Sequence, residues 1–222
     1  MPDLNTTYHV DMLRKIKSGR KRNLFQRLWR AIKRELTNTY IYGVEWGDPD
    51  TFEPLKFIRD QYVLPYVNGD QCAVEIGPGG GRWTQYLLGF RKLYVVDYHA
   101  ELLEELKRNF NKPNMEFIKN NGSDFPGVSE HSIDYIYSFG TFVHLDTPLI
   151  DAYLASMKPI LKSGANVVLQ YSDKTKIMGQ KNKGFSENTP EKMRHMVSSA
   201  GYKIIGEDLT TLWHSSIILF TI

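Results

Sequence analysis

The sequence predicts an α/β protein built on one open, mostly parallel sheet, and two observations carry that prediction. From Gln71 onward, short apolar, β-branched runs alternate with stretches of helical pattern. The first run also ends in a glycine-rich turn, Gly-Pro-Gly-Gly-Gly at 77–81, ahead of a helical stretch over 83–88. Strands separated by helices pair in parallel, because each crossover returns the chain to the same end of the sheet. A glycine turn between strand and helix lets the main chain bend through positive φ. It also leaves unpaired N–H groups at the helix start, where a nucleotide-like ligand can lie against bare backbone.

The elements follow in order. The first strand runs into Val74-Glu75-Ile76, with an acid inside it. The second, 93–96, ends in Asp97, sixteen residues after Gly81, and a helical stretch follows over 99–110. An acid at that position can accept both hydroxyls of a ribose. The third strand, 115–118, leads into Asn121-Gly122-Ser123-Asp124-Phe125-Pro126, a polar turn with an acid beside an aromatic, suited to the edge and face of an adenine. A fourth strand covers 133–138, with a helix over 148–161, and a fifth covers 166–171. A helix over 190–200 closes at Gly201, and strands at 202–207 and 215–220 complete a set of seven. Upstream, 52–67 reads as a helix starting near Glu53-Pro54, where proline is tolerated in the first turn.

In motif order, from about Gln71 to the C-terminus, the chain resembles the class I S-adenosylmethionine-dependent methyltransferases. The spacing Glu75-x-Gly77-x-Gly79-x-Gly81 differs from the Gly-x-Gly-x-x-Gly of dinucleotide enzymes. The resemblance implies a Rossmann-like, doubly wound sheet of seven strands in which the last two form a hairpin and one strand is antiparallel. It implies S-adenosylmethionine as cofactor, with S-adenosylhomocysteine as product. Glu75, Gly77, Gly79 and Gly81 would surround its methionine part, Asp97 would bind the ribose, and Asp124 with Phe125 the adenine. Ser138, Phe139 and Gly140 would line the cofactor near its sulfonium. Binding without catalysis, as a regulatory module, is the other class of function compatible with such a fold.

Composition bounds the rest. The 222 residues fit one domain with an appended segment, with 41% hydrophobic and 24% charged residues. No apolar run is long enough to span a bilayer, and the N-terminal stretch is too charged for a secretory signal, so a cytoplasmic setting is expected. The single cysteine, Cys72, allows neither a disulfide nor a cysteine metal site.

Charge is unevenly spread. Residues 1–37 hold ten Lys/Arg against Asp3, Asp11 and Glu35, so although the chain carries a net +3, the remainder is negative. Within this basic N-terminal helical arm, Phe25, Leu28, Trp29, Ile32 and Leu36 recur at helical spacing, flanked by Arg27, Arg30, Lys33 and Arg34. Such a helix packs on the body or on a second copy in a homodimer. Alternatively it docks to an anionic membrane surface or a lipid-linked acceptor at the inner face of the membrane. Nucleic acid fits less well, because the body is acidic and no RNA-binding module is visible. Between 38 and 70, aromatics that include Tyr42 and Trp46 sit among turn residues; they suggest a lid, with Trp46 over the cofactor and Tyr42 toward the acceptor. This divides the chain into an arm (1–37), a lid and helix (38–70) and a catalytic domain (71–222).

Ligands of open α/β sheets bind at the carboxyl ends of the strands, where strand order reverses. Residues after the fourth and fifth strands are therefore expected to face the acceptor: Thr141, Phe142, His144 and Asp146, then Tyr171, Ser172, Asp173 and Lys174, with His214 reaching in from the start of the last strand. Methyl transfer to a hydroxyl requires loss of a proton, and imidazole is matched to taking it, so His144 is the candidate general base. Hydrogen bonding to a neighbouring turn, with Asp146 orienting the ring, is the structural alternative. The loop 173–184 carries four lysines that could meet an anionic group. Asp146 and Asp173 alone make no convincing metal site. Adenine-amine methylation has an Asn/Asp-Pro-Pro-Tyr/Phe motif after the fourth strand, whereas Ser138-Phe139-Gly140-Thr141 stands here. The expectation is O-methylation of a small molecule or glycan, with N-methylation or RNA methylation as the alternatives.

Overall fold

A computed structural model describes residues 46–222. The N-terminal arm and Tyr42 lie outside the described residues. Seven strands form one sheet: β1 (Cys72–Ile76), β2 (Lys92–Asp97), β3 (Met115–Lys119), β4 (Ile133–Ser138), β5 (Leu161–Ser172), β6 (Lys203–Asp208) and β7 (Ser215–Thr221). Their spatial order is β3-β2-β1-β4-β5-β7-β6, with β1 to β5 parallel and β7 antiparallel to both β5 and β6. The order reverses between β1 and β4, so the two loops leaving those strands diverge and open a crevice at the carboxyl end.

Side-chain alternation divides the core in two. On one face Val74, Ile76, Ile136, Val167 and Leu169 pack against Ile150, Tyr153, Leu154 and Met157 of α4 (Thr147–Ile160) and Met193 and Val197 of α6 (Pro190–Ser199). On the other, Ala73, Leu93, Val95, Tyr135 and Tyr137 pack against Leu55 and Ile58 of α1 (Glu53–Tyr62), Leu87 of α2 (Thr84–Leu87) and Leu106 of α3 (Ala100–Asn109). The central strands are buried on both faces, which is why they read in sequence as near-continuous apolar runs.

Two elements depart from the expected bounds. α1 ends at Tyr62, because Pro65 disfavours helical backbone at the residue before it, and only a 3₁₀ turn follows over Leu64–Tyr66. β5 begins five residues early, at Leu161. Leu161 pairs with Ile133, and the ladder resumes only at Asn166 opposite Tyr135, so a bulge absorbs the residues between them. Lys162, in that bulge, pairs with Asp134 at 2.8 Å.

Insertion of β7 between β5 and β6 matters for function. Being antiparallel, it starts where its neighbour β5 ends: Ser215 pairs with Ser172. His214 is thereby carried to the carboxyl end of the sheet. Ile218, fully buried in the middle of β7, anchors this arrangement. Ile218→Ala is expected to cost about 3 kcal/mol through lost burial and the cavity left behind, read as a lower midpoint in urea unfolding at unchanged slope.

Candidate active site

The glycine turn follows β1 and is shaped by its neighbours. Gly77 has φ +67°, and a Cβ there would stand 1.9 Å from Thr141 Oγ1 in the loop after β4. The two loops bordering the crevice thus meet where only a hydrogen fits. Thr141 Oγ1 donates toward the Gly77 carbonyl at 3.3 Å, and Ser138 Oγ donates to the Ile76 carbonyl at 2.8 Å. Gly140 (φ +86°) has open space where its side chain would be, on the same loop.

Glu75 lies buried beneath the turn, where Oε2 accepts the hydroxyl of Thr84 at 2.6 Å. Burial pushes its carboxyl up to about 8, against the pull of the Thr84 hydrogen bond. Asp97, also buried, accepts the His99 amide at Oδ1 (2.8 Å), and burial raises its pKa as well. Asp124 Oδ1 accepts the Asn121 amide at 2.8 Å, and Asn120 Nδ2 donates to the Asp124 carbonyl, closing the turn after β3. Phe139 stacks obliquely on Trp83 at 4.7 Å, with the guanidinium of Arg82 at 5.5 Å over its ring. Arg82 Nη1 donates to the Gly47 carbonyl at 3.3 Å, so the segment entering α1 is tied to the glycine turn. Trp46, at its start, is 59% exposed.

Beyond β4 a 3₁₀ turn, Phe142–His144, presents His144 at the surface. Its Nδ1 lies 2.7 Å from the Gly184 carbonyl. A carbonyl can only accept, so Nδ1 carries the proton and the neutral ring keeps its lone pair on Nε2. The loop after β5 supplies that carbonyl and is itself pinned: the Ser186 amide donates to the Val143 carbonyl, and Ser172 Oγ donates to the Ser186 carbonyl. Phe185 stands edge-on to His144 at 5.3 Å and to His214 at 5.4 Å. The His214 ring is largely buried, and desolvation, reinforced by the Lys176 charge, lowers its pKa to about 4.

Several expected site residues take other roles. Tyr171 is fully buried: it alternates with Gln170 and Ser172 and so points into the α4/α6 core instead of toward an acceptor. Lys174 is turned back on its own loop, pairing with Glu187 at 3.3 Å and donating to the Asn182 carbonyl. Asp146 is the N-cap residue of α4 and is exposed, and the Gly184 carbonyl, not Asp146, orients His144. Ser138 is sealed, and it fixes β4 to β1 instead of lining the crevice. Phe125 packs edge-on against Tyr153 at 6.0 Å with little surface left for an adenine. In the lysine loop, Lys176 is half-buried, donating to the Leu212 and Ser215 carbonyls at 2.7 Å each, while Lys181 and Lys183 are exposed. Asp173 is sealed by Ser216, Thr175 and Lys176, and no group of three or more potential metal ligands occurs among the described residues.

Sequence reading also missed residues. Thr84 and Gln170 are ordinary polar residues whose positions became meaningful only with the fold. Gln170 is buried between Gly140 N (2.6 Å) and Ser215 Oγ (2.7 Å). Tyr98, exposed beside Asp97, stands next to the Gly122 turn and lies under Lys119 Nζ at 5.4 Å. A cavity of about 350 Å³ lies at the opposite, amino end of the sheet, lined by Tyr66, Asn68, Gln71, Asp134 and Asn166. Its one carboxylate is already paired, and it lacks the glycine turn and the strand-end acids, so the crevice at the carboxyl end is the better candidate.

Comparison with known proteins bears on this crevice. A family model described as a methyltransferase domain matches residues 73–164, which include the glycine turn, Asp97, Asp124 and His144. Residues 73–164 thus match a methyltransferase domain, and the fold is shared with S-adenosylmethionine-dependent methyltransferases. A ribosomal RNA small subunit methyltransferase A from Mycoplasma capricolum is 35% identical over 71 residues, 29% of this chain. The chain matches 27% of that relative's length. Among solved structures, the PH0226 protein from Pyrococcus horikoshii aligns with TM-score 0.65 at 12% identity, over 81% of this chain and 96% of the other. A SAM-dependent methyltransferase from Aquifex aeolicus aligns with TM-score 0.58 at 19% identity, over 77% and 90%. At these identities the likeness is one of fold.

S-adenosylmethionine is the cofactor of the methyltransferases that share this fold, and the crevice fits it. The loop at Gly140 leaves space, the Asp97 carboxylate stands at the end of β2 where a ribose would lie, and the buried acid Glu75 would complement a group that is cationic. The carboxyl of Glu75 also gives a stability signature. Its folded pKa lies above the ordinary glutamate value, so its contribution is fully present below about pH 4.5 and is lost as pH rises through about 8. Glu75→Gln should flatten that dependence: in thermal melts from pH 5 to 9 without cofactor, the variant should lose less stability than the parent as pH rises.

Proposed function

We propose that the protein transfers a methyl group from S-adenosylmethionine to a hydroxyl of a small molecule or glycan, with His144 as general base. One observation carries the reading: His144 stands beyond β4, at the mouth of the crevice, with Nδ1 committed to the Gly184 carbonyl and Nε2 left as proton acceptor. When bound, the cofactor supplies an electrophilic methyl group whose carbon–sulfur bond breaks toward sulfur. Gly77, Gly79 and Gly81 are proposed to admit its methionine part, with Glu75 beneath. Asp97 is proposed to accept its ribose hydroxyls and the Asp124 turn to meet the adenine. Phe139, held by Trp83 and Arg82, would wall the space near the methyl group. As the acceptor oxygen forms its new bond to carbon, its proton passes to His144 Nε2. Holding acceptor and methyl carbon in line is the other contribution the site can make, and the pinned loops after β1 and β4 favour it.

A second reading has its own support. The Mycoplasma capricolum relative is a ribosomal RNA methyltransferase, and residues 1–37 are strongly basic, so RNA is the alternative acceptor. Among the described residues no helix is long and apolar enough to cross a membrane, and peripheral docking through the basic arm remains part of the proposal for a lipid-linked acceptor.

Turnover decides between these. Production of S-adenosylhomocysteine is measured against panels of hydroxylated metabolites, glycans and total RNA. The proposal expects turnover with the first two, and turnover with RNA alone would establish the second reading. With the acceptor so found, His144→Ala should lower kcat about 100-fold or more while cofactor affinity stays within about threefold. An unchanged kcat would remove His144 from the chemistry.

A further inference from the structure

His214 is not used by the mechanism above, and its surroundings are unusual. Its Nδ1 is buried without a hydrogen-bond partner. The ring stands edge-on to Phe185 at 5.4 Å and feels the charge of Lys176, whose ammonium donates to the Leu212 and Ser215 carbonyls and lies 3.7 Å from Asp173. Gly179 leaves the His214 carbonyl room, since a Cβ there would stand 3.0 Å from it. Sealing an N–H without an acceptor forfeits a donor outright, and orphaned donors are rarer in folded proteins than under-used acceptors. The proton of a neutral His214 therefore belongs on Nε2. Desolvation and the Lys176 charge both disfavour a second proton.

The two imidazoles flanking Phe185 thus have opposite polarity. His144 offers a lone pair at Nε2, and His214 offers an N–H at Nε2. Both stand at the carboxyl end of the sheet, one after β4 and one ahead of β7, with a half-buried apolar ring between them.

We propose that His214 is a specificity-determining residue of the acceptor site. Its Nε2–H donates to a second oxygen of the acceptor while His144 takes the proton of the methylated hydroxyl. The acceptor is accordingly a polyhydroxylated compound, a sugar or cyclic polyol, whose carbon frame rests on Phe185. This rests on the reading of His144 as base.

The test uses full-length protein carrying ¹³C/¹⁵N-labelled histidine, saturated with S-adenosylhomocysteine, and followed by NMR. His214 is expected to show a protonated Nε2 and no titration between pH 5 and 8; a protonated Nδ1, or titration in that window, overturns the proposal. myo-Inositol serves as the probe and cyclohexanol as the single-hydroxyl control. Inositol should shift the signals of both histidines and cyclohexanol those of His144 alone. His214→Ala should weaken the inositol response at least tenfold and His214→Gln, which restores an N–H donor, should recover it to within threefold. Equal responses in parent and His214→Ala, or no response of His214 to inositol, contradict the proposal. Failure of the base assignment reads differently: His144→Ala would then retain its kcat, whatever the state of His214.

Discussion

The structure depends on how the loops at the carboxyl end of the sheet are held to one another by buried hydrogen bonds. Open parallel sheets leave this end ragged, because each strand gives way to a loop with its own course. Here Ser138 ties the end of β4 to the end of β1, Thr141 closes on Gly77, and Gln170 joins Gly140 to Ser215. Lys176 then joins the loop after β5 to the approach to β7, and Asp173 accepts the hydroxyl of Ser216. The bonds of Ser138, Gln170 to Ser215 and Asp173 to Ser216 are buried and the others half-buried, and breaking a buried one leaves an unpaired polar group, so together they hold the loops in one arrangement.

That framework explains how the proposed base can occupy an exposed loop without losing its geometry. His144 is at the surface, yet its ring is fixed by a carbonyl on a loop that is bonded back to Val143 through Ser186. A base that must meet an incoming hydroxyl needs access, and an in-line displacement needs a fixed direction of approach. Placing the ring outside, on a carbonyl whose loop is fastened through the buried Ser186, meets both needs. The same logic puts Glu75 beneath the glycine turn, where the low-dielectric surroundings raise its pKa and strengthen its response to positive charge.

Much of this was legible in the sequence, and the limits have physical causes. The strands were readable because parallel strands buried on both faces are continuous apolar runs, and Ile133–Ser138 fell where the pattern put it. The glycine spacing and the strand-end acids were readable because they are local. What the sequence did not disclose is the direction of single side chains near strand ends. Tyr171 and Ser172 are adjacent, yet alternation sends one into the α4/α6 core and the other to the loop that orients His144. Lys174 and Lys176 looked like free cations until the fold supplied Glu187 and two carbonyls. The significance of Gln170 and Phe185 comes from partners 30 to 45 positions away in the chain, separations that no local pattern encodes.

The carboxyl end of the sheet, pinned by these bonds, is the proposed cofactor site. Titration of the labelled protein with S-adenosylhomocysteine, followed through backbone amide signals, addresses it most directly. Shifts are expected to concentrate at Glu75 to Arg82, Asp97 to His99, Asn120 to Phe125 and Ser138 to Thr141. Shifts centred instead on Pro65 to Asn68 and Ser163 to Asn166, around the cavity at the amino end, would contradict it.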